Sequence, residues 1–157
     1  MENIVTIDSV CAYCGVGCDI AAHVDTKENK IKKIFAHPDG VVSQGKLCIK
    51  GKYGFDFVDA QDRLRIPRIR KSFLEKNPHI KEAVASSLTE LDDTWYESDL
   101  ENATTAASMK LKDIQAKYGE KSVCSLGGAR SSCEGAYLFQ KFTRHTLNSP
   151  HVDNCAR

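Results

Sequence analysis

The sequence has no apolar run near 18 residues, so it offers no transmembrane helix. The first cysteine comes at position 11, which leaves no room ahead of it for a secretory h-region, and there is no twin-arginine motif. A cytoplasmic location is the expectation, unless a partner carries the chain across a membrane. The formal net charge is only +1, so overall charge makes no case for nucleic acid or a membrane surface as partner. Neither a G-x-G-x-x-G nor a Walker spacing occurs, so neither NAD nor ATP is supported. None of the five histidines has a triad-like setting, and none is assigned a catalytic role. Internal repeats and low-complexity stretches are lacking. At 157 residues the chain has room for one domain, or for one domain and a piece of another.

Cysteine, by contrast, is plentiful. Seven is an odd number, and with no secretory segment ahead of them disulfides are not expected. Three thiols fall within eight residues, in Cys11-Ala-Tyr-Cys14-Gly-Val-Gly-Cys18, and Cys48 follows after a gap of 29. Four thiolates are soft ligands that suit an iron–sulfur cluster or zinc. Zinc knuckles usually pair C-x2-C with a second close pair, and here Cys18 and Cys48 are far apart. The spacing therefore ranks an iron–sulfur cluster first, zinc second and plain buried thiols third. Gly15 and Gly17 let the backbone fold tightly and turn amide N–H groups inward, as an anionic cluster needs. Lys50, two residues past Cys48, reads either as a solvated surface lysine or as a cation beside that cluster. Cys124 and Cys155 read as buried strand thiols. Cys133 lies in the first turn of an expected helix, where a packing role outweighs a reactive one.

Charge is uneven. Residues 1–72 carry twelve Lys/Arg against nine Asp/Glu, residues 73–101 two against eight, and residues 102–157 eight against four. The acidic middle reads as a surface excursion, and the basic, proline-containing run Arg63–Lys71 as a linker between domains. Ile4–Ile7 predicts a strand leading into the cysteine loop. Asp19–Asp25 and Lys30–Phe35 predict a hairpin around the turn residues 26–29, and a sharp turn follows at Ala36–Gly40. Ile80, Val84 and Leu88 suit one face of a short helix after Pro78, and Trp95-Tyr96 returns the chain to the core. Leu100, Ala103, Ala107, Leu111, Ile114 and Tyr118 recur at helical spacing and predict a core-facing helix from about 99 to 118, ended by Gly119. Ser122–Leu126 reads as a strand, Gly127-Gly128-Ala129-Arg130 as a turn, and a capping-box spacing at Ser131 and Glu134 opens the next helix. Asn148-Ser149-Pro150 stops that helix, and a strand follows at 151–155. Helix, strand, glycine loop, helix, strand is the start of an open parallel sheet. Gly128 and Arg130 then sit at the carboxyl end of a strand, where such sheets bind ligands.

Cys11-x2-Cys14-x3-Cys18, Gly45-x2-Cys48-x-Lys50-Gly51, Tyr53-Gly54, Asp62-Arg63-Leu64, Pro67 and Ile69-Arg70 together resemble the N-terminal iron–sulfur module of molybdopterin oxidoreductases. Gln140-Lys141-Phe142 and Val152-Asp153-Asn154-Cys155-Ala156-Arg157 are similar to formate dehydrogenase catalytic subunits. The resemblance covers most of the chain outside about 73–92. It implies an α/β fold (α+β overall), with a small β-rich [4Fe–4S] domain at 1–60, a linker and excursion at 61–98, and the first, incomplete part of a molybdopterin-binding α/β domain at 99–157. It implies that Cys11, Cys14, Cys18 and Cys48 hold the cluster. It also implies that Lys50 lies on the electron path to a molybdenum or tungsten bis-molybdopterin guanine dinucleotide, with Gly128 and Arg130 near that cofactor. Formate would be the substrate, and the partners would be the remainder of the catalytic subunit and an iron–sulfur subunit or ferredoxin. In the family, a selenocysteine or cysteine ligand to the metal and then a histidine come just after Cys-Ala-Arg. Neither is present here, so the chain is expected to be an N-terminal fragment that does not oxidise formate by itself. A nitrate-reductase-type oxidoreductase, a stand-alone iron–sulfur carrier and a zinc module are the other readings.

Overall fold

A computed structural model describes residues 3–155, which fall into two compact units: residues up to Arg63 with Gly128–Cys133, and Leu64–Gly127 with Glu134–Cys155. Among the described residues no helix is long and apolar enough to cross a membrane. The architecture is α/β, with small antiparallel sheets first and a parallel strand pair at the end.

The first unit is built on a three-stranded antiparallel sheet, β1 (Ile4–Val10), β2 (Asp19–Asp25) and β3 (Lys30–Ala36), in that order. The β2–β3 turn forms because the Asp25 carboxylate accepts the amides of Lys27 and Glu28, both at 3.0 Å, and Asn29 takes a left-handed φ of 52°. Ile20, Ala22 and Ile34 form the core, with Val24, Ile31, Leu47 and Phe55 packed around it. Burial on β2 departs from strict alternation. Ala21 is as buried as its neighbours, because so small a side chain is covered by Asp8 and Phe35 opposite it on the flanking strands. After β3 the Gly40 amide donates to the His37 carbonyl at 3.0 Å, and Gly45, at φ +71°, turns the chain into the short helix α1 (Ile49–Tyr53).

The second unit corrects two expectations. The basic run is not only a linker: Arg68–Arg70 is strand β4, with Ile69 buried, and it pairs antiparallel with β6 (Trp95–Glu97), which also pairs with β5 (Thr89–Glu90). Nor is the acidic stretch a mere surface excursion. Leu74 on α2 (Lys71–Glu75) and Ile80 and Val84 on α3 (Pro78–Val84) are fully buried, and they form one core with Ile69 and Ala106. Glu75 and Glu82 on these short helices are exposed and the other carboxylates come later, so a count of charge hides the core.

Helix α4 (Leu100–Tyr118) forms as predicted. The Asp99 carboxylate caps it by accepting the Asn102 amide at 2.7 Å, and Gly119 ends it at φ +92°. Its inward face differs from the expected stripe, however: Ala106 is the buried residue, supported by Ala103 and Met109, whereas Leu100 and Tyr118 are exposed. The following strand, β7 (Ser125–Gly127), starts three residues later than expected. It runs parallel to β8 (Val152–Asn154) after the intervening helix α5 (Cys133–Lys141) and a π-helical turn at Phe142–Thr146. Gly127 leaves room for the Phe139 ring, which would stand 3.2 Å from a Cβ and would have to give way to one. Cys124 and Cys155 are exposed rather than buried, because they flank three-residue strands in a sheet of two strands. Cys133, at the start of α5, is exposed as well. Ala156 and Arg157, part of the Cys-Ala-Arg ending, lie outside the described residues.

Candidate metal centre

Cys11 follows β1 directly and Cys18 immediately precedes β2, so the sheet register sets the two ends of the cysteine loop. The Cys11 amide donates to the Cys18 carbonyl at 2.9 Å and closes that loop, and Gly17 turns within it at φ +71°. Cys48 comes from the other side of the hairpin and occupies the N-cap position of α1. Cys11, Cys14, Cys18 and Cys48 all line one cavity of ≈ 380 Å³. Cys11 and Cys18 are half-buried, and Cys14 and Cys48 are exposed. Among the described residues, no three His, Cys, Asp or Glu side chains are grouped to hold a single metal ion, whereas a four-iron cluster takes one thiolate on each iron.

The thiols differ in electrostatic setting. Burial pushes the Cys18 thiol above its ordinary value, and the nearby Cys11, Cys14 and Cys48 sulfurs add to the rise by like-charge repulsion. Cys48 moves the other way. The backbone amides of Gly51 and then Lys50 donate to its sulfur, and the Lys50 charge adds a smaller pull in the same direction. Two amides aimed at one sulfur are what an anionic thiolate bound to iron requires. Gly51 also allows a close approach: a Cβ there would stand 3.5 Å from Cys11 Sγ and 3.3 Å from Leu47 Cδ2.

Lys50 lines the same cavity, and so does Arg130, 80 residues further along the chain. Gly128 does not line it. Its Cβ position opens into free space, and its carbonyl accepts the Ser131 hydroxyl at 3.2 Å. Sequence reasoning missed Tyr13. This residue walls the cavity, donates its hydroxyl to the Gly54 carbonyl and carries the Arg130 guanidinium over its ring at 5.6 Å from the centroid. The one available signal was its place inside the ligand motif, as an aromatic residue between two cysteines.

Residues 4–60 match the family model described as the molybdopterin oxidoreductase Fe4S4 domain. Those residues carry the molybdopterin oxidoreductase Fe4S4 domain. A [4Fe–4S] cluster is the group this domain implies, and the donor set around the cavity, four thiols with two amides on Cys48 and two cations on the wall, fits it chemically. Similarity extends beyond the domain. "Putative formate dehydrogenase YrhE" of Bacillus subtilis is 32% identical over 149 residues, which is 95% of this chain and 13% of that protein. "Probable oxidoreductase YjgC", also of Bacillus subtilis, is 30% identical over 156 residues, or 99% of this chain and 14% of that protein. "Putative formate dehydrogenase SH0748" of Staphylococcus haemolyticus is 28% identical over the same shares, 99% and 14%. The chain thus spans 13–14% of the length of these curated relatives.

Proposed function

We propose that this chain is the cluster-bearing N-terminal part of a formate-oxidising catalytic subunit, with Cys11, Cys14, Cys18 and Cys48 as the ligands of its [4Fe–4S] cluster. The convergence of these four thiols on one cavity inside the matched domain carries the reading. The names of two of the relatives quoted above support formate as the substrate, and the share of those relatives that the chain spans supports its being one part of a longer unit.

When bound, the cluster supplies one-electron transfer, so the two electrons released as formate becomes carbon dioxide and a proton leave one at a time. The protein's own residues set the terms of that transfer. The Gly51 and Lys50 amides favour the thiolate form of Cys48, and the Lys50 ammonium on the cavity wall offsets the charge of the reduced state. Lys50 would also face the pterin of a molybdenum or tungsten bis-molybdopterin guanine dinucleotide on the electron path, with Gly128 and Arg130 as further contacts. The assignment of residues 1–60 to the cluster domain belongs to the same proposal. An iron–sulfur subunit or a ferredoxin takes the electrons onward. Cys11, Cys14, Cys18 and Cys48 are free thiols, which suits a reducing compartment such as the cytoplasm.

Anaerobic loading with iron and sulfide tests the ligand set. Four irons and four sulfides per chain, lost together on Cys48→Ser, are expected; one zinc and no sulfide would overturn it. Reading the coding DNA past the Arg157 codon tests formate. A selenocysteine UGA or a cysteine codon followed by a histidine codon is expected, and a sequence without them would remove the formate assignment.

A further inference from the structure

We propose that Tyr13 is the positioning residue of the cluster cavity, tying the Cys11–Cys14 loop to the helix that follows Cys48 and seating the Arg130 guanidinium on the cavity wall. The inference rests on the reading that the cavity holds the cluster, and it assigns to Tyr13 a task that no ligand motif contains.

Three observations carry it. The Tyr13 hydroxyl donates to the carbonyl of Gly54, which is the C-cap residue of α1. That bond joins the Cys11–Cys14 loop to the end of the helix that follows Cys48. Gly54 has no room for a side chain: a Cβ there would run into the Tyr13 hydroxyl and ring and into the Lys50 carbonyl. Gly54 has φ −75°, so it is the contact with its neighbours and not its backbone conformation that calls for glycine. Lastly, the Arg130 Cζ sits 5.6 Å from the Tyr13 ring centroid, within cation–π range, and both residues line the cavity. The ring is therefore the seat of a second cation, in addition to Lys50. A cation held there favours the reduced, more negative cluster. Arg130 acts through its charge, and Tyr13 acts by placing that charge and by fixing the loop.

The test uses the full chain loaded anaerobically with iron and sulfide. Tyr13→Phe, Tyr13→Leu, Arg130→Gln and Arg130→Lys are compared with the wild type in the rate of iron loss to a chelator and in the reduction potential followed by EPR. Tyr13→Phe keeps the ring and loses the bond to Gly54, so its potential stays at the wild-type value while iron is lost about fivefold faster, the scale of one hydrogen bond. Tyr13→Leu loses both functions, so its potential falls to that of Arg130→Gln, whereas Arg130→Lys restores the wild-type potential. Iron loss from Tyr13→Phe at the wild-type rate overturns the tie. A wild-type potential in Tyr13→Leu beside a lowered one in Arg130→Gln overturns the seat. Should Tyr13→Leu fail to fold, judged by far-UV circular dichroism of the metal-free chain, the Tyr13→Phe and Arg130 variants still decide the matter. A wild-type chain that takes up no cluster overturns the cluster reading and this inference together. A wild type that loads normally beside unaffected variants overturns this inference alone.

Discussion

Replacing Gly51 with alanine adds one methyl group to helix α1 on the side that faces the cluster cavity. Two effects oppose each other in the metal-free chain. Alanine is favoured over glycine within a helix by roughly 0.8–1 kcal/mol. The new Cβ would stand 3.3 Å from Leu47 Cδ2, and turning the end of that leucine aside costs about 0.5–1.5 kcal/mol. The two nearly cancel, so the metal-free variant should unfold in urea with a stability within about 1 kcal/mol of the wild type. The contact with Cys11 is different in kind. The Cβ is 3.5 Å from Cys11 Sγ, an ordinary separation for a free thiol, but it takes up space beside the sulfur on the cavity side. Once the sulfur is bonded to iron the methyl group overpacks the site, at a cost of about 1–3 kcal/mol, which weakens cluster retention by roughly an order of magnitude. The two amides that donate to Cys48 remain in the variant, so their loss cannot explain the effect. The assay is iron and sulfide content with the rate of chelator-driven loss, set beside urea unfolding of the metal-free chain. A Gly51→Ala chain that keeps four irons and loses them at the wild-type rate would refute the reasoning. So would a metal-free chain destabilised by more than about 2 kcal/mol, because the fold and not the site would then have failed.

Three further outcomes are expected. Ile80→Ala empties a fully buried position in the core of the second unit and should cost about 2–5 kcal/mol, seen as an earlier urea midpoint at unchanged slope. Asp99 sits below its ordinary value of 3.8 because the Asn102 amide and then the Asn102 side chain donate to it. A depressed carboxylate contributes stability that is complete above its unfolded value and is lost as pH falls through the folded one, so Asp99→Asn should weaken α4 at pH 7 and narrow its gap to the wild type below about pH 4, followed by helical circular dichroism during urea unfolding. Lys50→Gln removes a cation from the cavity wall and leaves the backbone amide in place, so the loaded chain should keep its iron while its reduction potential drops; an unchanged potential would remove Lys50 from the electrostatics of the site.

The first unit was legible in the sequence because its determinants are local. The strand–loop–strand order around Cys11–Cys18 and the turn chemistry at Asp25 each act within a few residues, and the structure reproduces them. The second unit was less legible because its core is assembled from small pieces. A three-residue strand with Ile69 between Arg68 and Arg70 has too short a pattern to separate from a basic linker. On α4 the eye follows large residues, but helices α3 and α4 meet at Ala106, where a small side chain allows close approach, and Leu100 and Tyr118 are left outside. The carboxylates that make residues 73–101 acidic fall mostly at 90–101 and say nothing about Leu74, Ile80 and Val84 ahead of them.

Tyr13 marks the boundary between what spacing can and cannot carry. A ligand motif is readable because a short loop must bring its own thiols together, and the intervals record that constraint. The wall of the same cavity is made by a residue inside the motif, a carbonyl 41 positions later and a guanidinium further along still, and no interval records such a meeting. By spacing, Tyr13→Phe leaves all four thiols, both loop glycines and Lys50 intact and should be silent. In the structure it removes the bond that ties the Cys11–Cys14 loop to the end of α1. The rate at which that variant loses iron is therefore where motif and geometry give different answers, and a single oxygen atom separates them.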